Sequence, residues 1–306
     1  MSNTTSLEGR VIAVTGAGRG IGREIALLAA RQGAAVVVND FGGNVAGEGA
    51  DQGPAQEVVK EITSAGGRAA ANTDSVADPK GAERIVQTAL DSFGKVDGLV
   101  NNAGILRDKI FHHMTEDDFN TVIDVHLRGS YNVARAAAPH FRKQGHGSMV
   151  HMTSTSALIG NIAQANYSAA KLGIAGLSRS IAIDMQKFGV RSNAIAPFAW
   201  SRLVGTMPEE AMQRNFDIAK MRAVSPAHIA PVVAFLLSDA AADINGQIFG
   251  VRKNEIFLMS QPRPMRQIHR SEGWTQEALA NVMLPAFKSS LVPMESSGDV
   301  FSWDAI

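Results

Sequence analysis

The sequence predicts an α/β fold: a single doubly wound domain with a parallel sheet, helices on both of its faces, and a C-terminal extension. Three observations carry this expectation. Short runs that are apolar at every position recur along the chain, segments of helical period alternate with them, and a glycine-rich turn joins the first run to the first helical segment. A run apolar throughout is the pattern of a strand covered on both faces. Alternation of such strands with helices winds them into a parallel sheet.

Val11-Ile12-Ala13-Val14 reads as the first buried strand and Ala34 to Val38 as the second. A third precedes Asp74, Gly98-Leu99-Val100 is the fourth, and Met149 to Met152 and Asn193-Ala194-Ile195 continue the series, which Gln247-Ile248-Phe249 closes. Gly22 to Arg31, Pro79 to Ser92 and Glu116 to Lys143 read as helices between them. Residues 41–53 form a glycine-rich loop after the second strand. The division expected is therefore a nucleotide-binding and catalytic domain over 1–251 and an extension over 252–306 packed on it. In the extension, five basic residues (Arg252, Lys253, Arg263, Arg266, Arg270) face one acid between 252 and 270, and five acids face Lys288 beyond it.

Composition narrows the function. At 306 residues, 45% of them hydrophobic, the chain can bury a core without disulfides or a structural metal. A net charge of zero and no long basic run argue against nucleic acid as a partner. The longest apolar runs, such as Ile229 to Leu237, are far too short to cross a membrane. Met1 to Ser6 lacks the basic-then-apolar pattern of a secretory signal, and there is no cysteine, so a cytoplasmic location is expected and thiol chemistry is excluded. His112 and His113 are adjacent, without the carboxylate–histidine spacing of a zinc site, and no metal is expected.

The turn Thr15-Gly16-Ala17-Gly18-Arg19-Gly20-Ile21-Gly22 has the chemistry of a phosphate cradle. Glycines let the backbone approach a pyrophosphate, and the following helix offers free N–H groups with partial positive charge. In this context it is expected to be the dinucleotide turn of a Rossmann fold rather than a merely flexible strand–helix turn. Asp40 ends the second strand, where a carboxylate accepts from both ribose hydroxyls and repels a 2′-phosphate, which points to NAD rather than NADP. Arg19 is the competing signal, because a cation there accommodates the extra phosphate.

Tyr167 and Lys171 are four residues apart in Asn166-Tyr-Ser-Ala-Ala-Lys171 and share a helical face. A phenol of pKa ~10 is too weak a base at neutral pH. A neighbouring ammonium favours its phenolate, and the charge of an oxidised nicotinamide would add to this. Ser154 follows the Met149–Met152 strand and is placed to hold the reacting oxygen beside Tyr167.

Over residues 8–250 or so, the sequence resembles the short-chain dehydrogenase/reductase family. The resemblance rests on Thr15–Gly22, Asp74-Ser75, Asn101-Asn102-Ala103-Gly104, Ser154, Tyr167, Lys171 and Pro197. It implies that Asp74 and Ser75 lie near the adenine, Asn101, Ala103 and Gly104 near the cofactor backbone, and Pro197 near the nicotinamide. A narrower resemblance, at Val38–Gly43, Asn102–Asp108, Val125–Ser130 and Gln164–Lys171, is to the (3R)-hydroxyacyl-CoA dehydrogenase domains of multifunctional enzymes of type 2. It implies an acyl-CoA thioester substrate and a homodimer or homotetramer. The tail resembles those of actinobacterial hydroxyacyl-CoA and hydroxysteroid dehydrogenases at Asn245–Phe249 and around Ser260-Gln261-Pro262.

His126, counted with the catalytic residues, stands where many family members carry an Asn that anchors a relay water; it holds that water, bonds a backbone carbonyl, or is a partly buried structural histidine. Phe198 and Trp200, after Pro197, are candidates to pack an acyl chain or ring, and the basic stretch 252–270 is either a seat for coenzyme A phosphates or a solvated or subunit-facing surface. Rival readings are a hydroxysteroid dehydrogenase, an acyl-carrier-protein reductase, which usually prefers NADPH against Asp40, and a non-catalytic dinucleotide sensor, which has no need of Ser154, Tyr167 and Lys171.

Overall fold

The computed structural model describes residues 6–44, 46–49, 51–199 and 224–306. Its chain order is β1 (Val11–Thr15), α1 (Gly20–Arg31), β2 (Ala35–Asn39), α2 (Gly53–Ser64), β3 (Arg68–Asn72), α3 (Pro79–Phe93) and β4 (Gly98–Asn101). Then follow α4 (Glu116–Ile123), α5 (Gly129–Gln144), β5 (Gly147–Met152), α6 (Thr155–Leu158), α7 (Ala165–Met185) and β6 (Val190–Phe198). After the undescribed stretch come α8 (Ala230–Leu237), β7 (Ile248–Arg252), β8 (Glu255–Leu258), α9 (Gln276–Ala278), α10 (Leu284–Lys288) and α11 (Ser297–Val300). Trp200 lies outside the described residues.

The strands form one sheet in the order β3-β2-β1-β4-β5-β6-β7-β8, parallel through β7. The chain runs outward from β1 to β3, then returns past β1 to β4. That reversal opens a crevice at the carboxyl ends of β1 and β4, where open α/β sheets bind ligands.

Alternation along the strands explains the wholly apolar runs. Ile12, Val14, Val36 and Val38 face one layer, with Ile25 of α1, Val58 of α2 and Val233 of α8. Val11, Ala13, Ala35 and Val37 face the other, with Ile85 of α3 and Val133 and Phe141 of α5. Helix ends are set locally: Asp78 caps α3 by accepting from Lys80 and Gly81 N–H, and Gly94 ends it in the left-handed region.

Two elements differ from the sequence reading. The sheet does not close at Gln247–Phe249: β7 runs on to Arg252, and the chain turns at Lys253 and Asn254 and returns antiparallel as β8, pairing Glu255 with Arg252. β8 is an edge strand with Ile256 and Leu258 exposed, so it lacks the unbroken apolar pattern of the central strands. The helix expected over Glu116–Lys143 is interrupted by a π turn at Asp124–Arg128, which turns His126 into the interior, 1% exposed. No helix among the described residues is long and apolar enough to cross a membrane.

The first strand–helix turn is packed against the β4 loop. A Cβ at Gly22 would stand 2.3 Å from the Gly16 carbonyl oxygen and 2.5 Å from Asn102 Nδ2. Gly→Ala inside a helix ordinarily stabilises by about 1 kcal/mol. Here steric conflict with backbone is the larger effect, of about 1–3 kcal/mol. Gly22→Ala is expected to lower Tm and weaken dinucleotide binding; a raised Tm would contradict this packing.

Candidate active site

The crevice between β1 and β4 is held open by one threonine and one asparagine. Thr15 Oγ1 accepts from the N–H groups of Asn102 and Ala103 at 3.0 and 3.1 Å. Asn102 Nδ2 donates to the carbonyls of Thr15 and Gly16, both at 3.0 Å. The crevice is lined by Gly16, Arg19, Gly20 and Ile21 from the glycine turn, Asp40 from the end of β2, Asp74 and Ser75 after β3, and Ala103 and Gly104 after β4. The structure thus brings together most of the residues that sequence reasoning assigned to the cofactor.

Their chemistry fits a dinucleotide. α1 opens at Arg19 without a side-chain cap and has no acid in its first turn, so its leading N–H groups are free to meet a phosphate. Asp40 is fixed from both sides, its Oδ2 accepting from Gly18 N–H and its Oδ1 from Gly42 N–H, each at 2.8 Å. Each oxygen keeps a lone pair for a ribose hydroxyl. Gly18 thus supports Asp40 rather than lining the crevice. Asp74 accepts from Arg84 Nε at 2.7 Å and from Asn72 Nδ2 at 2.9 Å, which fixes its carboxylate at the edge of the crevice.

Asn101 is a correction. It is 4% exposed, and its Nδ2 lies 3.2 Å from the Ser130 carbonyl, to which it donates, and 3.1 Å from His151 Nδ1. It does not line the crevice; its neighbour Asn102 does. Sequence reasoning quoted Asn102 as part of the motif without giving it a role.

Ser154, Tyr167 and Lys171 converge at the carboxyl end of β5. Ser154 is the N-cap of α6, its hydroxyl accepting from Ser156 N–H at 3.1 Å, and its interaction with the Tyr167 phenol acts to lower the phenol's pKa. Lys171 is 4% exposed, and its Nζ donates to the Met152 carbonyl at 2.7 Å and lies 5.6 Å from the centre of the Tyr167 ring. α7 is tied to β5 and α6 by Thr153 Oγ1, which donates to the Lys171 carbonyl, and by Ser168 Oγ, which donates to the Ser156 carbonyl, both at 2.8 Å. Pro197 lies within β6, paired with Val251, and does not line the cofactor crevice.

The electrostatics differ from the sequence expectation that Lys171 lowers the Tyr167 pKa. Burial pushes the phenol up to about 12, opposed by the interaction with Ser154 and reinforced by the charge of Asp108. Burial also lowers Lys171 to about 7. Without a further positive charge, desolvation dominates both groups. Asp108 was passed over in the sequence reading; its carboxylate accepts from Gln164 Nε2 at 2.9 Å, and burial raises its pKa.

His126 packs edge-on to Tyr167, with ring centres 5.3 Å apart. Its Nε2 lies 2.8 Å from the Ile105 carbonyl and 3.0 Å from the Ile105 N–H, so in either tautomer it bonds the backbone of the β4 loop. Of the sequence alternatives, the backbone bond is present, and it fits a structural histidine equally. Nδ1 is buried and has no partner among the described residues. A Cβ at Gly104 would stand 2.4 Å from His126 Cε1, so glycine there makes room for the ring.

Burial first, then the charge of Lys171, lowers His126 to about 3 from 6.5, against the Ile105 bond, and burial lowers His151 to about 4. Both histidines are neutral in the fold, whereas the unfolded chain binds protons as pH falls below 6.5. Stability is therefore lost on acidification from about pH 6.5 downward. Denaturant titrations at about pH 7 and pH 4 are expected to show His126→Asn reducing that loss by on the order of 3 kcal/mol. An unchanged loss would place the acid sensitivity elsewhere.

The chain matches the family model described as enoyl-(acyl carrier protein) reductase over residues 16–252. A short-chain type dehydrogenase/reductase of Mycobacterium tuberculosis is 49% identical over 246 residues, 80% of this chain and 82% of that protein. Mouse peroxisomal multifunctional enzyme type 2 is 42% identical over 91% of this chain, which spans only 37% of that larger enzyme. A hydroxyacyl-CoA dehydrogenase of M. tuberculosis is 36% identical over 87% of this chain and 84% of its own length. Among solved structures, a 7α-hydroxysteroid dehydrogenase in complex with NADH and a 7-oxo bile acid conjugate superposes with a TM-score of 0.74 at 32% identity, over 83% of this chain and 97% of its own. With the sheet order, the glycine turn and the Ser154–Tyr167–Lys171 group in place, these similarities show that the chain belongs to the short-chain dehydrogenase/reductase family of oxidoreductases.

Proposed function

We propose that the protein is an NAD-dependent dehydrogenase of secondary alcohols whose substrate is a 3-hydroxyacyl-CoA. The observation that carries the reading is the placement of the Ser154 and Tyr167 hydroxyls and the Lys171 ammonium at the carboxyl end of β5, next to a dinucleotide crevice. A substrate hydroxyl held by Ser154 would pass its proton to the Tyr167 phenolate, and a ketone would regain it from the phenol in the reverse direction. NAD+, when bound, supplies the hydride acceptor and a positive charge that lowers the phenol's pKa. Lys171 would bind the ribose and add to that charge. His126 acts through its bond to Ile105 as a positioning residue, and its free Nδ1 is the atom left to hold a water.

Asp40 supports NAD over NADP, because a 2′-phosphate would meet its carboxylate. Arg19, exposed at the same crevice, is the residue to suspect if NADP+ proves better. The hydroxyacyl-CoA dehydrogenase relative supports the thioester. The basic stretch of the tail supports it less than its sequence suggests, since Arg252 is buried and Arg266 donates to the Ala286 carbonyl. A hydroxysteroid substrate is the second reading, favoured by the bile acid in the structural neighbour. Self-association as a dimer or tetramer is part of the proposal, supported by exposed Tyr131 on α5 and Leu172 and Ile183 on α7.

Initial rates with NAD+ test these assignments. A 3-hydroxyacyl-CoA is expected to exceed its free acid in kcat/KM by at least tenfold, since remote binding of the coenzyme A handle orients the hydroxyl. Tyr167→Phe is expected to cost roughly a hundredfold or more in kcat while leaving NAD+ binding nearly intact. Asp40→Ser should raise the NADP+ to NAD+ preference. Turnover of a hydroxysteroid with none of any thioester would move the substrate to the second reading, and normal kcat in Tyr167→Phe would remove the mechanism.

A further inference from the structure

The last residues of the chain return to the end of the sheet where the chemistry is placed. Ser297 N–H donates to the Gly160 carbonyl at 2.9 Å, and Ser297 Oγ donates to Thr155 Oγ1 at 2.6 Å. Thr155 is the residue after Ser154, and Gly160 closes the turn that follows α6. Phe301 packs edge-on against Phe198, with ring centres 4.8 Å apart. Phe198 is the last residue of β6, one position after Pro197. A single segment thus touches the carboxyl ends of both β5 and β6.

This segment is anchored rather than laid on the surface. Arg252, 6% exposed, donates through Nη1 to the carbonyls of Phe301 and Trp303 at 3.2 and 3.0 Å and through Nε to Glu255 at 2.7 Å. Its guanidinium lies 4.8 Å from the centre of the Trp303 ring, and Trp303 Nε1 donates to the same Glu255 at 2.7 Å. Asn254 N–H donates to the Ile306 carbonyl at 3.0 Å. A buried guanidinium is costly unless its charge and donors are met. Here Glu255 meets the charge and the tail backbone meets Nη1, while Nη2 is buried without a hydrogen-bond partner among the described residues, so the β7–β8 turn and the final residues form one folded unit.

Position decides what this unit can face. The dinucleotide crevice lies at the ends of β1, β2 and β4. The ends of β5 and β6 carry the proton-transfer group, and in an open α/β sheet the ligand sits outside the carboxyl ends of the strands. Phe198, Ser297 and Phe301 are each only partly buried, so part of each remains available for contact.

We propose that residues 295–303 are a fixed wall of the substrate site, with Phe301 edge-on to Phe198 as its apolar face and Ser297, bonded to Thr155, as its polar contact. The wall selects alcohols that carry an extended apolar or ring portion next to the reacting carbon. This inference rests on the reading that Ser154 and Tyr167 hold the alcohol, but not on the identity of that alcohol.

The test uses the full chain with Phe301→Ala, Phe301→Leu and Ser297→Ala. One short and one bulky alcohol are taken from whichever class the unmodified enzyme oxidises best, so that rejection of thioesters removes the thioester reading and leaves this test standing. The bulky-to-short ratio of kcat/KM is expected to change at least tenfold in Phe301→Ala, mainly through KM of the bulky alcohol, with partial recovery in Phe301→Leu. Ser297→Ala is expected to shift the same ratio severalfold. The NAD+ dissociation constant is expected to stay within twofold in all three, which a general loosening of the fold would not allow. If Phe301→Ala lowers Tm sharply, the better-packed Phe301→Leu and Ser297→Ala carry the comparison. A ratio unchanged within twofold in those two variants overturns the wall.

Discussion

Holding a buried ammonium beside a half-buried phenol, with one carbonyl to hold the ammonium, is the constraint on which the site depends. Lys171 reaches the Met152 carbonyl at the end of β5, and burial draws its pKa down to about 7 while it drives Tyr167 up to about 12. Neither group is then in its most reactive form by default. A pair of this kind responds strongly to any charge brought beside it, because low dielectric screens little. Under the proposed function the dinucleotide would be both reactant and switch, its positive charge lowering the phenol's pKa.

The rest of the fold serves that placement. The sheet brings the end of β5 next to the crevice between β1 and β4, and Thr15 and Asn102 lock the glycine turn to the β4 loop. The same loop is gripped from behind by His126, delivered by the π turn between α4 and α5 and admitted by the absence of a side chain at Gly104. Cofactor turn, β4 loop and His126 are thus linked through a few short bonds, and Tyr167 packs edge-on against His126. The C-terminal residues reach the other flank of the group through Thr155 and Phe198.

Much of this was legible in the sequence, and the parts that were not have physical reasons. Central strands announce themselves because both faces are covered, and Tyr167 and Lys171 because four residues return a helix to the same face. β8 stayed hidden because an edge strand exposes half its side chains. Asn101 and Asn102 were not told apart because successive residues leaving a strand point to opposite sides, and sequence alone does not say which side is the crevice. Arg252 counted as one more cation in a basic stretch, whereas the fold buries it under Trp303 and the tail backbone. The desolvation that opposes Lys171 at Tyr167 was invisible for a similar reason: proximity to Lys171 is visible in the spacing, but desolvation is a property of the packed fold.

The chain has two tyrosines, and Tyr131 is 51% exposed, so Tyr131→Phe leaves Tyr167 as the sole phenol to titrate. Tyrosinate absorbance of that variant, followed with pH while circular dichroism confirms the fold, tests the central claim directly. The account expects almost no ionisation of Tyr167 at about pH 10.5 in the free protein and a clear fall in its midpoint when NAD+ saturates the crevice. A midpoint at or below about 10 in the free protein, unmoved by NAD+, would contradict it.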